Sequence, residues 1–530
     1  MLFKNCYFLR GWLIEGGKNL STNPKQQETK KTNWIIVFAV ILIAFLGAFI
    51  GLEMIVTFGL APNTAIIGII CAMLLARVPV SIFQQFRSSH VQNLLQMSVN
   101  CATFGAANAL LVPIGIPFLM GRNDLIYPML IGASFAMIVD ALMIYHFFGT
   151  QLFPAEENWP KGFAMAKTIE VGVDGGKPLL LLGLGFVSGW IGALFHIPLS
   201  AIGMAFLSKI LPMTMLAIGN ILGGSIKHWW QIDLHALYLP HGVMIGAGLV
   251  ILVQTLKLFL NRKHVPKKGV HQNEMSTRLF KFMALFFVLS LTVLLIAGLF
   301  RSMSIHQLIL FILLTVLMQF FQRLLVGSTV MLTGFLPAFS LALVFLVIGI
   351  MLNLPIQVLA IFAGYTAATG PILACFGDAL KTGDLLRGEG KSIEVERNEK
   401  TQQLLMVGLT LLVIILVVFI SYPYYFAQNR VPPVDHVFLA TLKAGSSFEM
   451  MNPWLIGGMI VGMVLQWSKG VGILFATGLL LNNPILGGMI LMGVLLQSLL
   501  KNRVKSSTVA VLSAGIISGD VMGRLSNIIR

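Results

Sequence analysis

Four ionisable residues fall inside runs that are otherwise apolar: Glu53 in GAFIGLEMIVTFGL, Asp140 in FAMIVDALMIYHFFG, His196 in WIGALFHIPLS and Asp520 in AGIISGDVMG. An ion in such surroundings is costly, so these groups exchange protons, pair with a cationic ligand, or form internal ion pairs that order the helices. They are the candidates for carrying a proton, with Glu53 and Asp140 leading. A second class is the helix interruption. NALLVPIGIPFLMG places Pro113 and Pro117 in one apolar run beside Asn108, and AATGPILACF places Gly370 and Pro371 in another. Unwound backbone at membrane depth is tolerated where protein or a water-filled cavity satisfies it, and half-helix ends then offer N–H and C=O groups to a ligand. Asn108, Pro113, Pro117, Gly370 and Pro371 are therefore the candidate substrate-binding residues, with an ordinary kink as the plainer alternative.

A third feature is the charged stretch FGDALKTGDLLRGEGKS, residues 376–392, between apolar runs. It reads as a cap at the cytoplasmic end of a span. Asp378 and Asp384 can pair there with Lys381 and Arg387, while Gly383 lets the chain turn. As a gate these pairs would open and close; otherwise they form a solvated connector. KHWWQIDLHALYLPHG gathers His228, Asp233, His235 and His241, which could in principle ligate a metal. Their spacing matches no established site, so neither a metal nor a cofactor is predicted, and Trp229, Trp230 and Tyr238 read as an interfacial belt. No Ser-His-Asp arrangement, P-loop or HExxH motif occurs, so nothing supports ATP hydrolysis or a soluble-type active site.

The elements that must hold these residues follow from composition. Of 530 residues 57% are hydrophobic and 11% charged, against about 25% charged in a soluble domain. The solvent for such a surface is a bilayer, and runs of the roughly 20 apolar residues that cross it recur along the chain. The net charge of +16 lies mostly in short connectors, which fits cytoplasmic loops rather than nucleic-acid binding. The Cys residues show no paired spacing and read as core packing. The fold class is all-α and polytopic, with about sixteen transmembrane or re-entrant helices. Residues 1–33 form a basic arm without a cleavable signal. A first transmembrane half covers 34–260, a basic cytoplasmic linker 261–278, and a second half 279–530. Spans are expected at 34–58, 63–83, 94–120 and 125–148 in the first half, and at 305–321, 330–352 and 354–376 in the second, among others. AIGMAFLSKILPMTMLAIGNILGG (201–224) echoes ATGLLLNNPILGGMILMGVLLQ (476–497), as duplicated transporter halves would.

Several stretches together resemble the oligopeptide transporter superfamily, which includes the yellow-stripe-like metal-chelate carriers. GLEMIVTFGLAPNTAIIGIICAML (51–74) resembles its first hairpin, and NLLQMSVNCATFGAANALLVPIGIPFLMG (93–121) its Asn-Leu-x-Gln segment. QLFPAEENWPKGFAMAKTI (151–169) is similar to its aromatic-Pro segment, DALKTGDLLRG (378–388) to its Asp-x-Lys-Thr-Gly stretch, and LSAGIISGDVMG (512–523) to its closing helix. Lys161 stands where an acidic or small residue is usual, and Asp520 where Glu is commoner. The acidic signature of the eukaryotic peptide branch is absent. The resemblance implies sixteen helices in two duplicated halves and proton-driven import of short peptides or peptide-like metal chelates. The setting would be a plasma or inner membrane. The alternatives are a polytopic lipid-modifying transferase built on His228, Asp233, His235 and His241, and a passive channel.

Overall fold

In the computed structural model the described residues are 34–61, 63–171, 177–260, 272–334, 336–388, 393–446, 453–500, 504 and 506–529. The predicted arm, and the linker as far as residue 271, lie outside them. The described chain is 85% helix and contains no strand. Eight helices are long and apolar enough to cross a membrane, and the chain is an integral membrane protein.

The first helix, α1, spans Trp34–Phe58, as its apolar run predicts. α2 (Ala65–Leu75) is shorter than expected, because a 3-10 turn at Ser81–Arg87 replaces its second half. The proline-containing third span is not broken. α3 (Ser89–Phe104), a π-helical stretch (Gly105–Leu111) and α4 (Val112–Leu119) run on as one rod. The wide π turn, in which the Val112 amide reaches the Ala107 carbonyl, accommodates a proline that brings no amide of its own. After α5 (Ile126–Phe147) the chain turns inward at Trp159, a fully buried residue that opens α6 (Pro160–Val171). The Trp159 amide donates to the Met331 carbonyl at 2.8 Å and its indole to the Pro154 carbonyl at 3.0 Å. This seats α6 in the bundle.

Four helices then follow: α7 (Lys177–Leu194), α8 (Ser200–Leu207), α9 (Ile210–Trp230) and α10 (Leu239–Leu260). Pro198 lies between α7 and α8, and Pro212 sits inside the first turn of α9, where its missing amide costs nothing. The later half opens with α11 (Gln272–Ile296) and α12 (Ile305–Thr333). Ser304 and Gln307 cap α12 reciprocally, and Gly334 at φ 72° closes it. α12 runs twelve residues past the expected limit at Phe321. α13 (Ala338–Met351), α14 (Ile356–Ala367), α15 (Pro371–Leu386), α16 (Ile393–Ala427) and α17 (Pro433–Ser446) follow. Last come α18 (Pro453–Lys469), α19 (Gly472–Leu481), α20 (Pro484–Leu500) and α21 (Ser506–Ile529).

The last four helices pair with α7–α10 in reverse order: α7 with α21, α8 with α20, α9 with α19 and α10 with α18. Glycines set these contacts. A β-carbon on Gly246 would lie 2.0 Å from the Met459 carbonyl oxygen, and one on Gly462 would lie 2.0 Å from that of Val243. Gly189 and Gly519 make the same reciprocal approach between α7 and α21, to Ile516 and Phe186. Small residues on both partners let the backbones touch, as membrane helices do where no water drives them together.

Candidate functional site

α14 ends at Ala367 and α15 starts at Pro371, with Gly370 between them at φ 110°. The break predicted at Gly370-Pro371 exists, but its free amides are already taken. Asp140 from α5 accepts from the Gly370 amide at 2.6 Å and the Leu373 amide at 3.4 Å through Oδ2. Its other oxygen lies 2.9 Å from Arg323 Nε of α12, with both side chains wholly buried. An anion at a helix N-terminus is favourable, and here the chain supplies it internally. The guanidinium also donates to the Gln319 side chain at 2.5 Å, to the Gln319 carbonyl at 3.1 Å and to the Ala136 carbonyl at 3.2 Å, and it lies over the Phe286 ring. Thr369, in the break, donates to Gln319 Oε1 at 2.8 Å. Helices α5, α12, α14 and α15 are tied through this one pair.

Glu53 joins a second cluster. Its carboxylate is 2.5 Å from Arg430 and 3.7 Å from Arg524, and it accepts from the Tyr425 hydroxyl at 3.3 Å. Arg524 also reaches Asp520 at 3.3 Å, and Ser200 donates to Asp520. Two carboxylates and two guanidiniums balance, drawn from α1, α21 and the turn before α17. Glu53 is 1% exposed, but the arginine side chains are 27% and 26% exposed, so solvent shares their charge. Glu53→Gln is therefore expected to lower stability by about 1–2 kcal/mol, read as a modest drop in melting temperature in detergent. A drop as large as that from losing Arg323 would show that the arginines depend on Glu53 alone.

The charged stretch is described as far as residue 388. It is not a solvated cap: α15 runs to Leu386, and Asp378, Lys381 and Asp384 are buried. Lys381 pairs with Asp384 at 3.2 Å, as expected, but Arg387 pairs with Glu399 of α16 at 3.4 Å, and His90 lies 3.2 Å from that same carboxylate. Asp378 is held by the Gly162 amide and faces Lys161. Gly383 does not turn the chain. It stands inside the helix, and a β-carbon there would meet Arg387 Nη1 at 2.5 Å and the Asn93 and Gln403 amides at 3.1 Å. The turn is at Gly388, φ 80°. Asn93 and Gln403 both donate to the Ala379 carbonyl, and Gln96 donates to Asn93. The Asn-Leu-x-Gln segment thus supplies one wall of a buried polar seam between α3, α15 and α16.

Asn108, Pro113 and Pro117 are buried with the Gly370-Pro371 break. A β-carbon on Gly364, just before that break, would be 3.1 Å from the Pro113 carbonyl, so the two interrupted segments do meet. Asn108 Oδ1 is buried without a hydrogen-bond partner. An apolar crevice of about 640 Å³ lies elsewhere, lined by Trp34, Phe38, Cys71, Phe83 and Phe86 among others.

His196 stands apart from the other candidates. It is exposed at φ 57°, where its amide reaches the Ala193 carbonyl and the Ile197 amide reaches that of Gly192. It is the left-handed residue that ends α7, a position glycine usually fills. The alternative His/Asp set is also dispersed. Asp233 pairs with exposed Lys227 at 3.0 Å, and that hydrogen bond holds its carboxyl below the usual range. The His235 and His241 rings are 6.0 Å apart. Among the described residues no group of three His, Cys, Asp or Glu stands close enough to hold a metal ion. Trp229 and Trp230 are exposed, as a belt requires.

Sequence reasoning missed Arg323 and Asp435. Arg323 follows QFFQ, two residues past the limit read for a span at Phe321; a helical face of Gln319, Gln322 and Arg323 was its signal. Asp435 lies in VPPVDHVF, which reads as a loop, yet it is wholly buried in α17 with neither carboxyl oxygen hydrogen-bonded. No family model matches the chain, and no curated protein matches it.

Proposed function

We propose that this protein is a proton-coupled secondary active transporter that imports short peptides or peptide-like metal chelates across a plasma or inner membrane. The observation that carries the reading is the partnering of charges at depth. The buried carboxylates of segment 34–260, Glu53 and Asp140, are paired to guanidiniums of segment 279–530, namely Arg430, Arg524 and Arg323. Ionic contacts that cross between two segments at the core are what a closed carrier needs to release when it opens to either side. The reverse-order packing supports duplication. Exchanging α7 with α18, α8 with α19, α9 with α20 and α10 with α21 maps the α7–α21 contact onto α10–α18, and α9–α19 onto α8–α20. The same exchange carries the echo at 201–224 onto 476–497. Sixteen spans in two repeated halves is the architecture this favours. The substrate class follows the resemblance of the quoted stretches to the oligopeptide transporter superfamily.

The test is uptake into proteoliposomes of purified protein. Labelled di- and tripeptides and a ferric chelate are presented with and without an inward proton gradient. Gradient-dependent accumulation above the external level is the expected result. Flux that stops at equilibration would make the protein a channel, and no flux with any probe would overturn the carrier reading.

A further inference from the structure

The carrier reading needs a carboxyl group that can be both protonated and ionised, and most of the buried acids are poorly suited to it. Asp140 holds Arg323 and two backbone amides, Glu53 holds Arg430, and Asp520 holds Arg524. Each already has a guanidinium as its partner.

Asp435 differs in every respect. It is 0% exposed, and among the described residues neither oxygen has a hydrogen-bond partner. Its Oδ2 fits where a side chain on Gly115 would be: a β-carbon there would lie 1.9 Å away, with Val431 at 3.0 Å on the same side. The seat is therefore built from a missing side chain. The helices packed against α17 bring little charge to it. Helices α4, α13 and α19 carry no titratable residue. Helix α14 brings Tyr365, whose electrostatic partners are Arg323 and Asp140. Helix α10 brings His241, which faces His235 and His436, and exposed Lys257, which lies over Trp467. On α17 itself His436 and Lys443 are exposed. Among the described residues no cationic side chain forms an ion pair with Asp435.

Surroundings that supply no cation suit a neutral carboxylic acid, whereas an isolated carboxylate there is prohibitively costly. A purely structural residue at this spot would be cheaper as an apolar side chain, since an unsatisfied buried polar group is a net loss.

We infer that Asp435 is the proton-exchanging carboxyl group of this protein: it is a neutral acid in the closed state and releases its proton when α17 and α4 separate. The inference rests on the carrier reading, but its test does not use transport. Infrared difference spectra of the full-length protein in lipid, titrated from mildly acidic to alkaline buffer, report the carbonyl stretch of protonated carboxyl groups. A band that is lost on alkalinisation in the wild type and absent from Asp435→Asn is expected. In Glu53→Gln and Asp520→Asn the band should persist. Since no group donates to Asp435, the Asn variant should fold as the wild type does. If it does not, Gly115→Ala, which presses on Oδ2, should keep the band and shift its frequency. A titrating band unchanged in Asp435→Asn, or unmoved in Gly115→Ala, would overturn the assignment. So would a wild type in which no carboxyl titrates. Accumulation of a peptide in vesicles together with an unchanged band would leave the carrier reading standing and remove Asp435 from it.

Discussion

Replacing Arg323 by alanine is expected to cost about 3–5 kcal/mol, the usual penalty for leaving one member of a buried pair without its partner. Asp140 would keep the Gly370 and Leu373 amides but lose its only cation, with no route to water for either oxygen. Losing the guanidinium also takes one donor each from the Gln319 side chain, which keeps that of Thr369, and from the Ala136 carbonyl. Folded protein recovered in detergent should fall sharply, and what is recovered should melt far below the wild type. A double variant, Arg323→Met with Asp140→Leu, separates two contributions. Removing both charges relieves the unpaired-ion penalty, so the double variant should be more stable than Arg323→Ala. It should still be weaker than the wild type by about 1–3 kcal/mol, because the Gly370 amide is left without an acceptor. If the single and double variants melt alike, the pair contributes packing rather than charge neutralisation, and the functional weight placed on it falls.

The second large effect is at the glycine contacts. Gly246→Ala places a β-carbon 2.0 Å from the Met459 carbonyl oxygen, and Gly462→Ala does the same to Val243. The colliding atoms are backbone, so no rotamer change relieves them and α10 and α18 must move apart. Overpacking typically costs about 1–3 kcal/mol, and a main-chain collision belongs at the top of that range. Gly457, on the same helix α18, has nothing within 4 Å of its β-carbon position. Gly457→Ala is expected to be neutral or to stabilise by up to about 1 kcal/mol through helix propensity. One substitution type on one helix should thus give opposite signs, read as melting temperatures of the three variants side by side. Equal shifts at 246 and 457 would show that these helices are not in backbone contact.

Much of the framework could be read from the residues alone. The excess of apolar side chains dictates a bilayer, and local run length set Trp34–Phe58 correctly. The helix break at Gly370-Pro371 was also legible, since a residue with no amide next to one that tolerates φ 110° is a local event. Hydropathy sums the transfer energies of neighbours in the chain, and such features depend on nothing else.

What the tertiary structure decided is which groups meet. Asp140 and Arg323 are 183 positions apart, and Glu53 and Arg430 are 377 apart; no local sum carries that. A run of charge at 378–387 reads as a wet connector because each charge alone disfavours burial, yet Lys381 and Asp384 are buried as a pair, and Arg387 and Glu399, half-buried, neutralise each other beside them. The proline-rich third span reads as broken, but a π turn absorbs the missing amide. Asp435 reads as a loop residue because two prolines precede it, and only packing against Gly115 makes it a buried acid without a partner. Transfer of a side chain into the membrane is a local cost, whereas its compensation is supplied by a distant residue through space. The sequence therefore determines where charge is expensive, and the fold determines what offsets it.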